Sequence, residues 1–231
     1  MDLNKHPIAR SGKKQIFYKD LPYKGEDITP LPYLQNDDMR FAAFISAPSG
    51  AGKSYEAARL IKELLKMKKY KKNMPVLVTL SQDEDPAYEG IEYFKMPLND
   101  LLDETIDISF FRDTIMVFDD WESGEKETVK FIHSLIKRVL ERGRKQNIAV
   151  IVICHQTQNY GLTRDIIFEC DTYVLYPIGG INSVLRFAKS YMDLDAKEIK
   201  RLQADVQDLR SFHFHKSIPR YLATENMIRK I

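Results

Sequence analysis

The sequence has no apolar run long enough to cross a bilayer. Its longest strongly apolar stretch, Ile148 to Cys154, falls far short of the roughly 20 residues a membrane helix needs, so an integral membrane protein is not expected. Cysteine is nearly missing, with Cys154 and Cys170 the only two in 231 residues. No Cys/His set has zinc-ligand spacing, and both cysteines read as packing residues in a reducing compartment. Met1 to Arg10 lack the apolar core of a secretory signal, which leaves the protein expected to stay where it is made. An excess of one charge is also absent: the net charge of +2 is too small to demand a polyanionic partner by itself.

What remains is the composition of a globular domain, 44% apolar and 29% charged, in a chain that suits one core with short appendages. Basic residues cluster at Lys5, Arg10, Lys13, Lys14, Lys19 and Lys24, and again at Lys66, Lys68, Lys69, Lys71 and Lys72. The second cluster is read first as solvated cations complementing a helix C-terminus. Pro7, Pro22, Pro30 and Pro32 mark residues 1–39 as a basic arm or small irregular extension ahead of a domain at 40–231.

From Phe41 the pattern is strand, glycine loop, helix, with Ala57, Leu60, Ile61, Leu64 and Leu65 at helical spacing between Lys53 and Lys69. Further strands are expected at Pro75–Leu80, Ile91–Phe94, Thr114–Phe118, Ile148–Ile153 and Thr172–Tyr176, with a short helix around Leu98–Leu102. Helices are expected at Glu125–Arg142, stopped by Gly143, after Gly179 and Gly180, and from Asp195, which has Glu198 as its capping-box partner. Near-continuous apolar strands alternating with helices indicate a parallel sheet covered on both faces. His213 and His215 alternate with Phe212 and Phe214 and read as the solvated outer face of a late strand.

Three motifs carry chemistry. Ala47, Pro48, Ser49, Gly50, Ala51, Gly52, Lys53 and Ser54 match a phosphate-binding loop for ATP: backbone amides cradle phosphates, Lys53 meets the terminal ones, and the Ser54 hydroxyl reaches Mg2+. Ala47 stands where the pattern usually has glycine. The apolar run Thr114–Phe118 then delivers Asp119 and Asp120, the first expected to hold Mg2+ and the second to polarise an attacking water, with Glu122 as an alternative base. The strand from Ile148 ends in Cys-His-Gln, where Gln156 can sense the γ-phosphate and the attacking water. The role of His155 is left open.

Those motifs, with Glu-Arg-Gly-Arg-Lys-Gln-Asn before the strand from Ile148 and Arg164 after it, resemble the FtsK/HerA superfamily of DNA-pumping ATPases over about residues 40–190. The genome-packaging ATPases of poxviruses, giant viruses and virophages are the similar branch. The resemblance implies an α/β fold, a P-loop NTPase of the additional-strand, RecA-like kind with a mainly parallel sheet flanked by helices. It also implies an ATP hydrolase that translocates double-stranded DNA into a preformed capsid, working as a ring homo-oligomer, commonly a hexamer. A docking protein on the capsid or inner membrane is implied as well, as is a location at the assembly site in the host cytoplasm and in the virion. Arg142, Arg144 and Arg164 are candidates to complete a neighbouring subunit's site, and the sequence does not choose among them. The competing readings are an ATPase acting on a protein or other polymer in morphogenesis or secretion, and a nucleotide-dependent assembly switch.

Overall fold

The structure, a computed structural model, describes residues 5–34, 39–70, 74–80, 85–97, 106–157 and 161–231. The chain begins with four short strands, β1 (Ala9–Ser11), β2 (Lys14–Ile16), β3 (Tyr23–Lys24) and β4 (Ile28–Pro30). Next come β5 (Ala42–Ser46), α1 (Lys53–Leu64), β6 (Val76–Leu80), β7 (Phe94–Pro97) and β8 (Ile115–Phe118). The second half runs α2 (Lys126–Arg142), β9 (Ala149–Cys154), α3 (Arg164–Glu169), β10 (Thr172–Leu175), α4 (Ile181–Tyr191) and α5 (Ala196–Val206). It closes on β11 (Phe212–His215), β12 (Tyr221–Ala223) and β13 (Met227–Lys230).

One sheet takes ten strands in the order β3-β13-β12-β11-β10-β5-β9-β8-β6-β7. Neighbours from β10 to β7 are parallel, and those from β3 to β10 are antiparallel. This is the expected α/β sheet, with β9 as the additional strand between β5 and β8. Successive residues point to opposite faces, and both faces are covered. Ala42, Phe44, Val150, Val152, Met116 and Phe118 pack under α2, α4 and α5, with Phe44 stacked on Phe187 at 5.9 Å between ring centres. Ala43, Ile45, Ala149, Ile151, Ile115 and Val117 face α1 through Ala57, Leu60, Ile61 and Leu64. Cys154 and Cys170 are buried and unpaired as disulfides, packing residues as expected.

Two elements differ from the sequence pattern. The first helix ends at Leu64 rather than Lys69, and Lys68–Tyr70 is a separate 3-10 turn. The chain bends there to bury Tyr70, whose hydroxyl accepts the Phe41 amide at 3.0 Å. The edge strand expected at Ile91–Phe94 lies at Phe94–Pro97. The short helix expected around Leu98–Leu102, and Lys71 and Lys72 of the basic cluster, fall outside the described residues.

The reading of His213 and His215 as solvated is overturned: they are only 7% and 2% exposed. They do face away from Phe212 and Phe214, but the first forty residues cover that side. Strands β2, β1 and β4 form a three-stranded sheet whose Ile8, Ile16 and Ile28 pack on Tyr221, Ala223 and Ile228, while β3 joins the edge of the main sheet. Tyr33 meets the His215 ring edge-on at 5.4 Å, Tyr221 stacks on it, and burial pushes the imidazole down to about 3.

His213 Nε2 lies 2.9 Å from Glu56 of α1, while Arg59 grips the same carboxylate in bidentate fashion and donates to the Pro30 carbonyl. Burial works to raise the Glu56 carboxyl, but the charge of His213 and the bonds from Arg59 and His213 outweigh it and hold the group at about 2, below its ordinary 4.5. Because the folded value is the lower one, this stabilisation is present above pH 4.5 and is lost as pH falls toward 2; the shift corresponds to about 3 kcal/mol. Denaturant titrations should therefore find Glu56→Gln less stable than wild type at pH 6, with the gap closing steadily below pH ~4.5. A gap that stays constant down to pH ~3 would contradict a buried, ionised Glu56.

Candidate active site

The candidate phosphate loop, residues 47–54, leaves the C-terminal end of β5 and turns into α1. Ala47 donates its amide to the Cys154 carbonyl, which ties the loop to β9 as it starts. Gly50 and Gly52 have φ of 76° and 95°, left-handed values that a side chain would strain, so the two glycines are needed where they stand. The turn brings Lys53 back over the loop. Its ammonium donates to the carbonyls of Ala47 at 2.9 Å and Pro48 at 3.0 Å, and lies 3.3 Å from His155 Nδ1. Burial lowers the Lys53 pKa, while the carboxylates of Asp119, Asp120 and Glu122 act to raise it.

Strand β8 delivers the acids to the same edge. Asp119 is 2% exposed and held from two sides: its backbone exchanges hydrogen bonds with the Thr79 hydroxyl, and Tyr88 donates its phenol to Oδ2 at 2.7 Å, while Ser54 lines the same cleft. Its pKa is raised by burial, against the lowering effect of the Tyr88 bond and the nearby Ser54 hydroxyl. Asp120 adopts φ 51° at the turn, with its side chain 37% exposed at the cleft. Trp121 locks this turn by donating its indole N–H to the Ile153 carbonyl of β9 at 3.0 Å. Glu122 is drawn aside to accept the His155 amide at 2.8 Å, and burial raises its carboxyl.

Gly50, Gly52, Lys53, Ser54, Asp119, Asp120 and His155 thus share one cleft of about 350 Å³. Gln156 does not line it. It lines an adjoining pocket of about 400 Å³ with Pro48, Tyr176, Gly180 and Arg186, and His155 faces both spaces. Arg142 and Arg144 sit beyond the opposite, N-terminal end of β9, on a groove with Arg40, Lys145 and Lys216. Arg164 opens α3 and places its guanidinium over the Phe168 ring. None of the three arginines lines the phosphate cleft of its own chain.

Several supporting residues escaped the sequence reading. Thr79 and Tyr88 hold Asp119, Tyr176 donates to the Gly52 carbonyl at 3.3 Å, and Arg210 donates to the Ala51 carbonyl at 3.1 Å. Each reaches the site by long-range packing, and no local pattern announces it.

No protein-family model matches the chain. An uncharacterized protein, V3, of Sputnik virophage is 27% identical over 212 residues, covering 88% of this chain and 83% of the relative. The genome-packaging NTPase B204 of Sulfolobus turreted icosahedral virus 2, solved with sulfate, superposes with a TM-score of 0.52 at 12% identity over 83% of this chain and 96% of B204. The monomer of the pCW3 conjugation coupling protein TcpA, solved with ATPγS, superposes with a TM-score of 0.53 at 12% identity over 97% of this chain and 64% of TcpA. The chain shares its fold with B204 and with the TcpA monomer. In this chain the glycine loop after β5, the acids after β8 and the tip of β9 meet at one edge of the sheet. Among the described residues, no helix is long and apolar enough to cross a membrane.

Arg210 gives this fold a second grip on its loop, and a Cβ at Gly52 would collide with the Arg210 guanidinium. Gly52→Ala should therefore lose roughly 1–2 kcal/mol from its left-handed backbone, plus a further cost from that collision. In thermal or denaturant unfolding, the same substitution should cost measurably less in an Arg210→Ala background. Equal costs in both backgrounds would mean that Arg210 does not press on the loop.

Proposed function

We propose that this chain is a viral genome-packaging ATPase, hydrolysing ATP to translocate double-stranded DNA. The observation that carries the ATPase reading is the shared cleft: a glycine loop bearing Lys53 and Ser54, with Asp119 buried beside it and Asp120 at the rim. The fold shared with B204 and the similarity to a virophage protein support the packaging role.

Ser54 and Asp119 offer hard oxygen donors that line the same cleft, a set suited to Mg2+. Bound there beside the nucleotide phosphates, Mg2+ would neutralise their negative charge. Lys53 supplies a fixed positive charge for the terminal phosphates. Asp120 orients the attacking water and takes its proton as the new P–O bond forms and the bond to the ADP oxygen breaks. Gln156 reads the γ-phosphate from the neighbouring pocket. In a ring of identical subunits, commonly a hexamer, Arg142, Arg144 or Arg164 completes the site of the next subunit, which fits their distance from the cleft of their own chain. A docking protein on the capsid or inner membrane holds the ring at the assembly site in the host cytoplasm.

Lys53→Ala should weaken nucleotide binding and abolish turnover, while Asp120→Asn should keep ATP and lose hydrolysis by about 10²- to 10⁴-fold. Near-normal turnover in both variants would remove the site assignment. Long duplex DNA should raise the ATPase rate of the assembled wild type at low salt, with the stimulation fading by a few tenths molar (~0.3 M) as phosphate contacts are screened. An ATP-hydrolysing ring indifferent to duplex DNA would instead favour a protein or other polymer as the moving substrate.

A further inference from the structure

A lysine ammonium has three hydrogens to donate and no acceptor. At Lys53 all three have protein partners within reach: the Ala47 and Pro48 carbonyls and His155 Nδ1, at 2.9, 3.0 and 3.3 Å. Any phosphate oxygen that engages Lys53 must displace one of them. Two are backbone carbonyls of the loop itself, fixed by its turn. The third belongs to a side chain at the tip of β9, 41% exposed and able to rotate.

Neutral imidazole has one accepting and one donating nitrogen. If Nδ1 accepts from Lys53, the proton sits on Nε2, and Nε2 is the atom that faces Asp120 Oδ1 at 3.6 Å. The same residue donates its backbone amide to Glu122. His155 therefore touches or faces the lysine and both carboxylates that could serve as base, and it borders the pocket that holds Gln156. The charged groups around His155 are Lys53 from α1 and Asp120 and Glu122 from the turn after β8.

We propose that His155 is a positioning residue that links the phosphate grip to the base: its Nδ1 competes with the terminal phosphate for Lys53, and its Nε2–H orients Asp120. This rests on the nucleotide reading of the cleft. Phosphate binding releases Nδ1, and the freed imidazole carries that change to Asp120 and to the segment leading into Gln156. The fold thus has a nucleotide-responsive element one residue before the amide that sequence pattern singles out.

Three substitutions separate the two contacts. His155→Asn can keep an acceptor where Nδ1 stands, His155→Gln can keep a donor reaching Asp120, and His155→Ala keeps neither. Ala and Gln should bind ATPγS up to about tenfold tighter than wild type, because Lys53 no longer has a competing acceptor, whereas Asn should bind like wild type. In kcat the order changes: Ala and Asn should fall about tenfold or more, and Gln should retain most of the wild-type value. Parallel losses of affinity and kcat in all three, or none in Ala, would overturn the proposal. Nitrogen NMR of the full-length wild type gives a reading that needs no turnover: the His155 ring should carry its proton on Nε2, and inorganic pyrophosphate should shift its Nδ1 resonance. A proton on Nδ1, or no response to pyrophosphate, also overturns it. The expected tautomer and shift in a protein that hydrolyses no ATP would sustain this linkage and remove the enzymatic reading instead.

Discussion

Because β9 lies between β5 and β8, the phosphate loop and the acids leave the sheet two strands apart, about 10 Å at the usual ~4.8 Å spacing. The residues at the tip of β9 fill that gap. Register makes this concrete: Ser46 pairs with Cys154 on one side and Phe118 with Val152 on the other, so all three strands end at nearly one level. The Ala47 amide and the Trp121 indole then both bond carbonyls of β9, at Cys154 and Ile153. The inserted strand is the common reference from which the loop and the acid turn are both hung.

A parallel strand buried on both faces leaves only its ends for chemistry, which is why the core was easy to read from sequence. Runs such as Ile148–Cys154 need no alternation, and the helices between them show their apolar stripes plainly. The antiparallel extension was harder. Strands β12 and β13 are short, and their burial depends on residues 5–34 folding over them, a pairing of the two ends of the chain that no local window contains. His213 illustrates the consequence: its alternation with phenylalanine correctly placed it on the far face, but whether that face meets water depended on a segment some two hundred residues away.

The candidate site divides in the same way. The phosphate loop is legible because glycine at Gly50 and Gly52 answers a backbone demand, φ near 76° and 95°, that few other residues meet. The acids are legible because an apolar strand ends on them. Thr79, Tyr88, Tyr176 and Arg210 are not, since each is an ordinary residue made important by the place to which packing brings it. Among the tip residues of β9, the pattern favoured Gln156, whereas the geometry puts His155 beside Lys53 and Gln156 in the next pocket.

The two adjacent acids follow from this arrangement of strands. Although Asp119 and Asp120 line one cleft, they differ in burial: Asp119 is 2% exposed, and the left-handed turn at Asp120 leaves its side chain 37% exposed. Asp119 is driven under the loop, where a carboxylate is tolerable only because Thr79 and Tyr88 supply bonds to its backbone and side chain. Asp120 escapes burial by taking a left-handed backbone, a conformation Asp accepts more readily than most residues, and the following 3-10 turn fixes it with the Ser123 hydroxyl on its carbonyl. One acid is thereby immobilised with its oxygens committed to neighbours, and the other is presented at the rim of the cleft. A fixed, dry carboxylate suits holding a cation in one place, while a rim carboxylate can reach a water that must come and go. The different settings of the two acids are thus a product of backbone geometry before any substrate is considered.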